Sequence, residues 1–169
     1  MKKLNFGIIL IQFFGVVFLI NGILQLRLFT AAEKISCAKK HLKSQNTAEW
    51  MKMFPTKEAI NDFWPSVFIW IFFALLIGIF IISYLNWKSK ISSLNTILVA
   101  IVLYVLLRFK FFRREIISLP FRPLRNFVSN DYGIQCLIEG IIFTLIGLTL
   151  LYFSTSSRLF GSKNDPLEN

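Results

Sequence analysis

Runs of apolar residues divide the chain into segments long enough to cross a membrane. Residues 6–26 form one uncharged apolar run, and residues 133–153 form another that carries a single acid, Glu139. Residues 65–85 form a third, which opens with Pro65 at a first-turn position where the missing N–H costs nothing. A helix needs about 20 apolar residues to cross a hydrocarbon core of ~30 Å, so each run predicts a transmembrane helix.

The remaining apolar run, 91–107, is shorter because Arg108 and Lys110 follow it directly. Long basic side chains keep their stems in the apolar layer and send their charged ends to the interface. We therefore interpret this run as a fourth span whose helix continues past the lipid. The pattern predicts an all-α fold: one domain over residues 1–153, an integral membrane bundle of four transmembrane helices, with an unstructured polar tail at 154–169. Four crossings place both termini on the same side.

The long connection between the first two spans shows a different periodicity. Apolar residues recur there at helical spacing, at Ala31, Ile35, Ala38 and Leu42. Charged residues occupy the other faces, at Glu33, Lys34, Lys39, Lys40 and Lys43. This pattern predicts a short amphipathic helix on the membrane surface or capping the bundle. A second apolar cluster follows before Pro55, formed by Trp50, Met51, Met53 and Phe54.

The composition agrees with a protein that is surrounded by lipid. Hydrophobic residues make up 55% of the chain and charged residues 17%, too few to cover the outside of a soluble fold. The formal net charge is +10, but all Lys and Arg residues lie outside the apolar runs. Basic residues that flank apolar segments are typical of proteins in membranes that contain anionic lipid. We expect anionic headgroups as partners and no nucleic acid.

Two signals for the orientation of the chain disagree. The loops 27–64 and 108–132 lie on one side and carry seven and six Lys or Arg, against six on the side of the termini. Basic loops stay in the cytoplasm, which predicts that both loops are cytoplasmic, in a bacterial inner or cell membrane. Lys2 and Lys3 before the first helix favour the opposite orientation. The first apolar run is too long for a signal peptide, so we expect it to remain uncleaved.

Glu139 is the most informative single position. It lies six residues into its span, about 9 Å beyond the start of the helix, where an acid costs a few kcal/mol. Gln135 is one turn earlier on the same face, and Arg108 ends the preceding span at the same membrane boundary. An ion pair between Glu139 and Arg108 is the structural interpretation. The functional alternative is that Glu139 lines a polar path for ions or protons, or contacts a partner.

Small residues share one face in two of the predicted spans. In the last span they are Gly133, Cys136, Gly140, Thr144, Gly147 and Ser154; in the first span they are Gly7, Gly15 and Gly22. Because small residues let helices approach closely in lipid, we predict that the two stripes face each other inside the bundle. The alternative is that one of them faces outward and drives oligomerisation. Asn21, Gln25 and Gln12 are interpreted as hydrogen-bonding groups within the bundle.

Basic and aromatic residues alternate after the third span. The basic members beyond Arg108 are Lys110, Arg113, Arg114, Arg122 and Arg125. The spacing predicts a helix up to Leu119, which Pro120 ends. We expect these residues to bind lipid headgroups, and the alternative is that they dock an acidic partner protein.

The sequence contains no recognisable catalytic motif. It has one histidine, His41, and two cysteines, too few for a structural zinc site, so we expect no metal and no other cofactor. Cys37 and Cys136 lie on the same side, and whether they pair is left open. We therefore expect a non-enzymatic accessory or partner-binding membrane protein, immunity-like or a complex subunit, that uses its basic loops. The alternative is a subunit of an oligomeric channel or transporter with Glu139 on a polar path.

Overall fold

The computed structural model of the protein describes residues 5–44, 47–109, 129 and 131–155. All regular secondary structure in these residues is helical: α1 (Phe6–Thr30), α2 (Ala32–Ser44), α3 (Thr47–Met53), α4 (Lys57–Lys88), α5 (Ser93–Arg108) and α6 (Tyr132–Phe153). Three of the helices, α1, α4 and α6, are long and apolar enough to span a membrane. The chain thus has the makeup of a helical membrane protein. At 16 residues, α5 is apolar but extends only about 24 Å.

Helix α1 is the central helix of the bundle. It packs most extensively against α6, then against α4 and α5. Within its most apolar 18 residues, 56% are buried, against 33% in α4 and in α6. Gly15 lies against Leu151, near the far end of α6, and Gln12 hydrogen-bonds Asn86, near the end of α4. Both α4 and α6 therefore run antiparallel to α1, and α5, which follows a tight turn after α4, runs parallel to it.

Side-chain caps set the beginnings of the four helices of the bundle. Asn5 accepts hydrogen bonds from the backbone at the start of α1, and Thr56 does so for α4. Ser92 caps α5, and Asp131 caps α6 by accepting from the Ile134 N–H at 3.0 Å. Each cap satisfies a donor that has no partner within its own helix.

The prediction that Pro65 lies in the first turn of the second apolar helix is wrong. Helix α4 begins at Lys57, and Pro65 lies inside it. The Thr56 cap and the burial of Phe63 in the core fix the earlier start. Because proline has no N–H, the helix lacks the hydrogen bond that residue 65 would donate to the carbonyl of residue 61. The first two turns of α4 carry exposed polar residues at Lys57, Glu58, Asn61 and Asp62, so the start of this helix is more polar than the rest.

The prediction that the helix of the 91–107 run continues past the lipid is also wrong. The helix ends at Arg108, and Phe109 adopts an extended conformation with φ −77° and ψ 119°. The Phe109 N–H closes the last turn by donating to the Leu106 carbonyl. The predicted helix up to Leu119 and residues 156–169 of the predicted polar tail lie outside the described residues. Ser154, the first residue of that predicted tail, is buried and caps the end of α6.

The short helix predicted after the first span is present as α2, and only the first half of its apolar positions is buried in the protein. Ala31 and Ile35 pack in the core together with Phe54, which follows α3. Leu42, which follows the same apolar spacing, is 85% exposed. In α3, Trp50 and Met53 pack against the core and Met51 is 67% exposed. The two short helices thus dock on the bundle through one side and leave two large apolar side chains uncovered.

Candidate functional site

The small-residue stripes of α1 and α6 face each other, as predicted. A Cβ added to Gly22 would lie 2.4 Å from Thr144 Oγ1, and one added to Gly147 would lie 2.8 Å from the Gly15 carbonyl oxygen. A Cβ on Gly140 would lie 2.7 Å from Leu26 Cγ. Glycine at these positions brings the two backbones into direct contact, which is how helices gain packing energy in lipid.

Three of the predicted polar residues lie at one level of this interface. Gly22 is opposite Gly140, which also contacts Leu26, so their neighbours Asn21, Gln25 and Glu139 share the loop-side half of the bundle. All three side chains are buried, and Glu139 is only 8% exposed. Buried polar groups in a membrane bundle tie helices together or mark functional positions.

The other two predicted residues near Glu139 lie elsewhere. Gln135 is half-buried, and its amide nitrogen donates to the carbonyl of Ser129 just before α6. Arg108 is exposed at the end of α5, and no ion pair joins it to Glu139 within the part of the chain that the structure describes. The predicted Glu139–Arg108 pair is therefore wrong. The basic residues of the following segment, Lys110, Arg113, Arg114, Arg122 and Arg125, lie outside the described residues.

A buried polar cluster joins four parts of the chain at the end of the bundle where α1 begins. The Gln12 amide donates to Asn86 Oδ1 at 2.6 Å and to Ser154 Oγ at 3.4 Å. The Asn86 amide donates back to Gln12 Oε1 at 3.2 Å and to Thr96 Oγ1 at 2.8 Å. The Ser154 hydroxyl donates to the Leu151 carbonyl at 2.6 Å. These bonds connect α1, α4, α5 and the end of α6.

Asn95 lies beside this cluster in sequence but differs from its members. The side chain is fully buried, and neither its amide nitrogen nor its amide oxygen has a hydrogen-bond partner among the described residues. The sequence reasoning named Gln12 but missed Asn86, Asn95 and Thr96, because polar residues beside a short turn normally indicate the membrane boundary. The sequence did contain a sign that Asn86 is buried, because Asn86 lies on the same face of α4 as Ile82 and Gly78.

Helices α2 and α3 are held in place by ring and cation contacts on the loop side. The rings of His41 and Trp50 stack with centroids 4.5 Å apart and join the two helices. The Lys39 amine lies 3.7 Å from the centroid of the Tyr132 ring, which joins α2 to α6. Lys34 lies about 6 Å from the Phe63 ring. Cation–π contacts of this kind contribute about 0.5–2 kcal/mol each.

The exposed apolar residues Leu42 and Met51 lie close to this ring stack. Leu42 follows His41 in α2, and Met51 follows Trp50 in α3. We refer to Leu42 and Met51 together with the exposed side of α2 and α3 around them as the loop-side surface. It also displays exposed lysines, including Lys40 and Lys52. Both helices follow Arg27, the first charge after the apolar run of α1.

A cavity of about 950 Å³, here called the loop-side groove, separates α2 and α3 from the start of α6. Its charged lining residues are Glu33, Lys40, Glu49, Lys52 and Asp131. Its apolar lining includes Phe29 at the end of α1 and Ile134 in the first turn of α6, both of which are exposed. The groove therefore combines a charged wall with an apolar edge.

Cys37 and Cys136 are both buried, and no disulfide joins them. Cys37 is on the wall of the loop-side groove. Among the described residues, no group of three or more His, Cys, Asp and Glu side chains is arranged to hold a metal ion.

Comparison of this chain with protein-family models, with curated proteins and with solved structures gives no match.

Proposed function

We propose that this chain is a non-enzymatic membrane protein that binds a protein partner through its loop-side surface. The membrane-embedded helices act as a rigid support, and α2 and α3 present the contact residues. The chain acts as an accessory protein of the immunity or complex-subunit type, and binding its partner is its activity. Homo-oligomerisation through the same surface is the variant in which the partner is a second copy.

The exposure of Leu42 and Met51 outside the apolar layer carries this proposal. Single exposed apolar residues are common on protein surfaces. Here two large ones lie on short helices that have already buried their other side against the bundle. An apolar centre with a polar rim is the arrangement of protein interfaces, and methionine is enriched there. The exposed lysines around it favour a partner with acidic residues at the rim.

The wider topology is part of the proposal. We propose that α5 is a fourth crossing, with the stem of Arg108 extending its apolar length. The Asn86–Thr96 hydrogen bond and the tight turn after α4 support a hairpin of two membrane helices. With four crossings, the basic loops 27–64 and 108–132 share one side, which we assign to the cytoplasm of a bacterial cell on the excess of Lys and Arg. The loop-side surface then faces cytoplasmic partners.

Site-specific photocrosslinking in native membranes tests the partner proposal. A benzophenone amino acid at Met51 should give a discrete adduct heavier than the chain, and Leu42→Ser in the same chain should remove most of it. The same probe at Ile77, which is exposed on the middle of α4, is the matched control for contact with lipid and for random collision. A differently tagged second copy distinguishes a self-adduct from a foreign partner.

Two results would overturn the proposal. One is an adduct at Met51 whose yield does not depend on Leu42. The other is equal adduct formation from Met51 and Ile77, because a specific interface requires a preference for the loop side.

The burial of Asn21, Gln25 and Glu139 at one level favours a second candidate function, a subunit of an oligomeric channel or transporter. Charged residues within membrane spans often line ion or proton paths. Under this hypothesis, purified chain in liposomes conducts protons or monovalent cations, and Glu139→Gln reduces the flux by at least tenfold. Unchanged flux in Glu139→Gln, or no flux above that of protein-free liposomes, would exclude this role for Glu139.

A further inference from the structure

Two cations, one from α1 and one from α2, lie over aromatic rings on one side of α4. The Cζ atom of Arg27 is 5.9 Å from the centroid of the Trp70 ring, and the amine of Lys34 is 5.9 Å from that of the Phe63 ring. Phe63 and Trp70 are seven residues apart in α4, so they share a helical face and lie about 10.5 Å apart along its axis. We refer to Arg27 and Lys34 together as the α4-side cation pair.

The described part of the protein leaves the positive charge of this pair uncompensated. Arg27 is half-buried and Lys34 is exposed, and neither forms an ion pair with an acid among the described residues. Nη1 of Arg27 donates to Thr30 Oγ1 at 3.1 Å, whereas Nε is buried without a hydrogen-bond partner in the same residues. Nε and Nη2 form the edge of a guanidinium group that binds a phosphate through two parallel hydrogen bonds. The pair therefore offers an anion both charge and donors.

Exposed apolar surface continues from this pair along α4. The Phe73 ring lies one turn beyond Trp70, with centroids 5.9 Å apart, and Ile77 follows one turn later. Both side chains are 45% exposed. Arg27 is the first charge after the apolar run of α1, a position where basic residues of membrane proteins meet lipid headgroups. A ligand with an anionic head and acyl chains matches both parts of this surface.

We propose that the α4-side cation pair binds the phosphate of an anionic glycerophospholipid, of the phosphatidylglycerol class. The guanidinium group of Arg27 and the amine of Lys34 donate to the phosphate oxygens, and the Trp70 ring orients the guanidinium group. The acyl chains lie along Phe73 and Ile77. This site is separate from the basic residues after α5, which the sequence analysis assigned to lipid headgroups.

The charge of the pair favours an anionic headgroup over a zwitterionic one. Choline and ethanolamine headgroups each bring a cation, which Arg27 and Lys34 repel. A glycerol headgroup brings hydroxyl groups and no cation, so the attraction of the phosphate is kept. Glu33, the acid next to Lys34, lines the loop-side groove towards α6 and does not pair with Lys34. The pair thus discriminates by net charge, while the planar guanidinium group on Trp70 fixes the place of the phosphate.

Native mass spectrometry of the detergent-purified full chain with added lipid tests this site. Phosphatidylglycerol, phosphatidylcholine and phosphatidylethanolamine with identical acyl chains are compared at equal concentration. The glycerol lipid should be retained several-fold more strongly than either zwitterionic lipid. Arg27→Gln with Lys34→Gln should weaken retention of the glycerol lipid by roughly tenfold and leave that of the choline lipid unchanged. A circular dichroism spectrum equal to that of the original chain shows that the double variant keeps its helices.

Matched controls separate a site from attraction by charge alone. Lys88→Gln with Lys90→Gln removes two exposed positive charges at the other end of α4 and should leave retention of the glycerol lipid unchanged. Arg27→Lys keeps the charge but removes the planar group that lies over Trp70, so it should weaken retention several-fold. Equal losses in the two double variants would overturn the site, and so would full retention in Arg27→Lys.

A soluble competitor distinguishes a lipid from a free phosphate compound. Glycerol 1-phosphate should not displace the glycerol lipid, because it lacks the acyl chains that contact Phe73 and Ile77. Displacement by this compound would show a site for a soluble anion and overturn the lipid assignment. Retention of either zwitterionic lipid equal to that of the glycerol lipid would overturn it as well.

The proposed lipid site does not rest on the proposed partner interface. Lys34 is eight residues before Leu42, about 12 Å along α2, and its amine lies over Phe63 of α4. Leu42→Ser should therefore leave lipid retention unchanged, and Arg27→Lys should leave the crosslinked adduct at Met51 unchanged. Failure of one experiment leaves the result of the other intact.

Discussion

Gly22 of α1 lies against Thr144 of α6 so closely that a Cβ on Gly22 would be 2.4 Å from Thr144 Oγ1 and 2.5 Å from the Thr144 backbone nitrogen. A side-chain hydroxyl can rotate away, but a backbone nitrogen can move only with its helix. Gly22→Ala should therefore separate α1 and α6 locally and destabilise the bundle by about 1–3 kcal/mol, as overpacking does in other cores. Unfolding of the purified protein by titration with SDS in mixed micelles measures this loss.

The control for this prediction lies on the opposite side of α6. Thr149→Ile adds bulk at an exposed position that faces lipid, and its effect should stay within about 0.5 kcal/mol. If Gly22→Ala changed stability as little as Thr149→Ile does, the contact between Gly22 and Thr144 would be looser than the structure shows.

The packing of α1 against α6 was predictable from the sequence because its cause is local. Glycines such as Gly15, Gly22, Gly140 and Gly147 recur on one helical face, and no other residue allows such an approach in lipid. The start of α4 was not predictable from the apolar run alone. The apolar run begins at Pro65 because the residues before it are mostly polar. The helix begins earlier, where Thr56 caps its first turn.

Asn86 is the centre of the polar cluster, since it bonds to both Gln12 and Thr96. Asn86→Leu leaves these two partners buried with unsatisfied groups, which should cost about 1–3 kcal/mol. Gln12→Leu should cost a similar amount, and the double variant should cost less than the sum of the two. SDS unfolding of both single variants and the double variant gives this coupling. Additive losses would show that the two amides do not depend on each other.

Asn95 and Thr96 are neighbours in α5 for which the structure predicts opposite effects. Both amide atoms of Asn95 are buried without hydrogen-bond partners among the described residues, so Asn95→Leu should stabilise the protein by about 1–3 kcal/mol. Thr96→Val keeps the shape but removes the acceptor of the Asn86 amide, and it should destabilise. The SDS unfolding midpoints of the two variants should move in opposite directions. Destabilisation by Asn95→Leu would contradict the assignment of Asn95 as unsatisfied.

The cluster shows where sequence reasoning fails for membrane bundles. Asn86, Asn95 and Thr96 flank a turn, and polar residues at a turn are expected to face water. Their burial depends on α1 and the end of α6 covering the turn, which is a tertiary relationship between distant segments. Leu42 is the opposite case, because it follows the apolar spacing of α2 and is nevertheless 85% exposed.

The contact between Lys39 and Tyr132 fastens α2 to the start of α6. Lys39→Gln removes the cation and should weaken this attachment by about 0.5–2 kcal/mol. Cys37, two residues earlier, is buried, so its reaction with a maleimide reports each opening of α2. In a Cys136→Ala background, labelling of Cys37 should become several-fold faster in Lys39→Gln. Lys88→Gln, at the other end of the bundle, should leave the rate unchanged, and equal rates in all three proteins would contradict a role for this contact.

The proposed topology predicts three labelling patterns with an impermeant maleimide in a background of Cys37→Ala and Cys136→Ala. Three variants place a thiol at an exposed position. Leu42→Cys lies before α4, Ser89→Cys lies between α4 and α5, and Phe109→Cys lies directly after α5. Ser89→Cys should react in intact cells, whereas Leu42→Cys should react only after the membrane is permeabilised. Because α5 is short, Phe109→Cys decides whether it crosses: reaction only after permeabilisation supports four spans, and reaction together with Ser89→Cys would limit the chain to three. The reversed pattern at all three positions would leave the four crossings in place but move the basic loops, and with them the loop-side surface, to the outside of the cell.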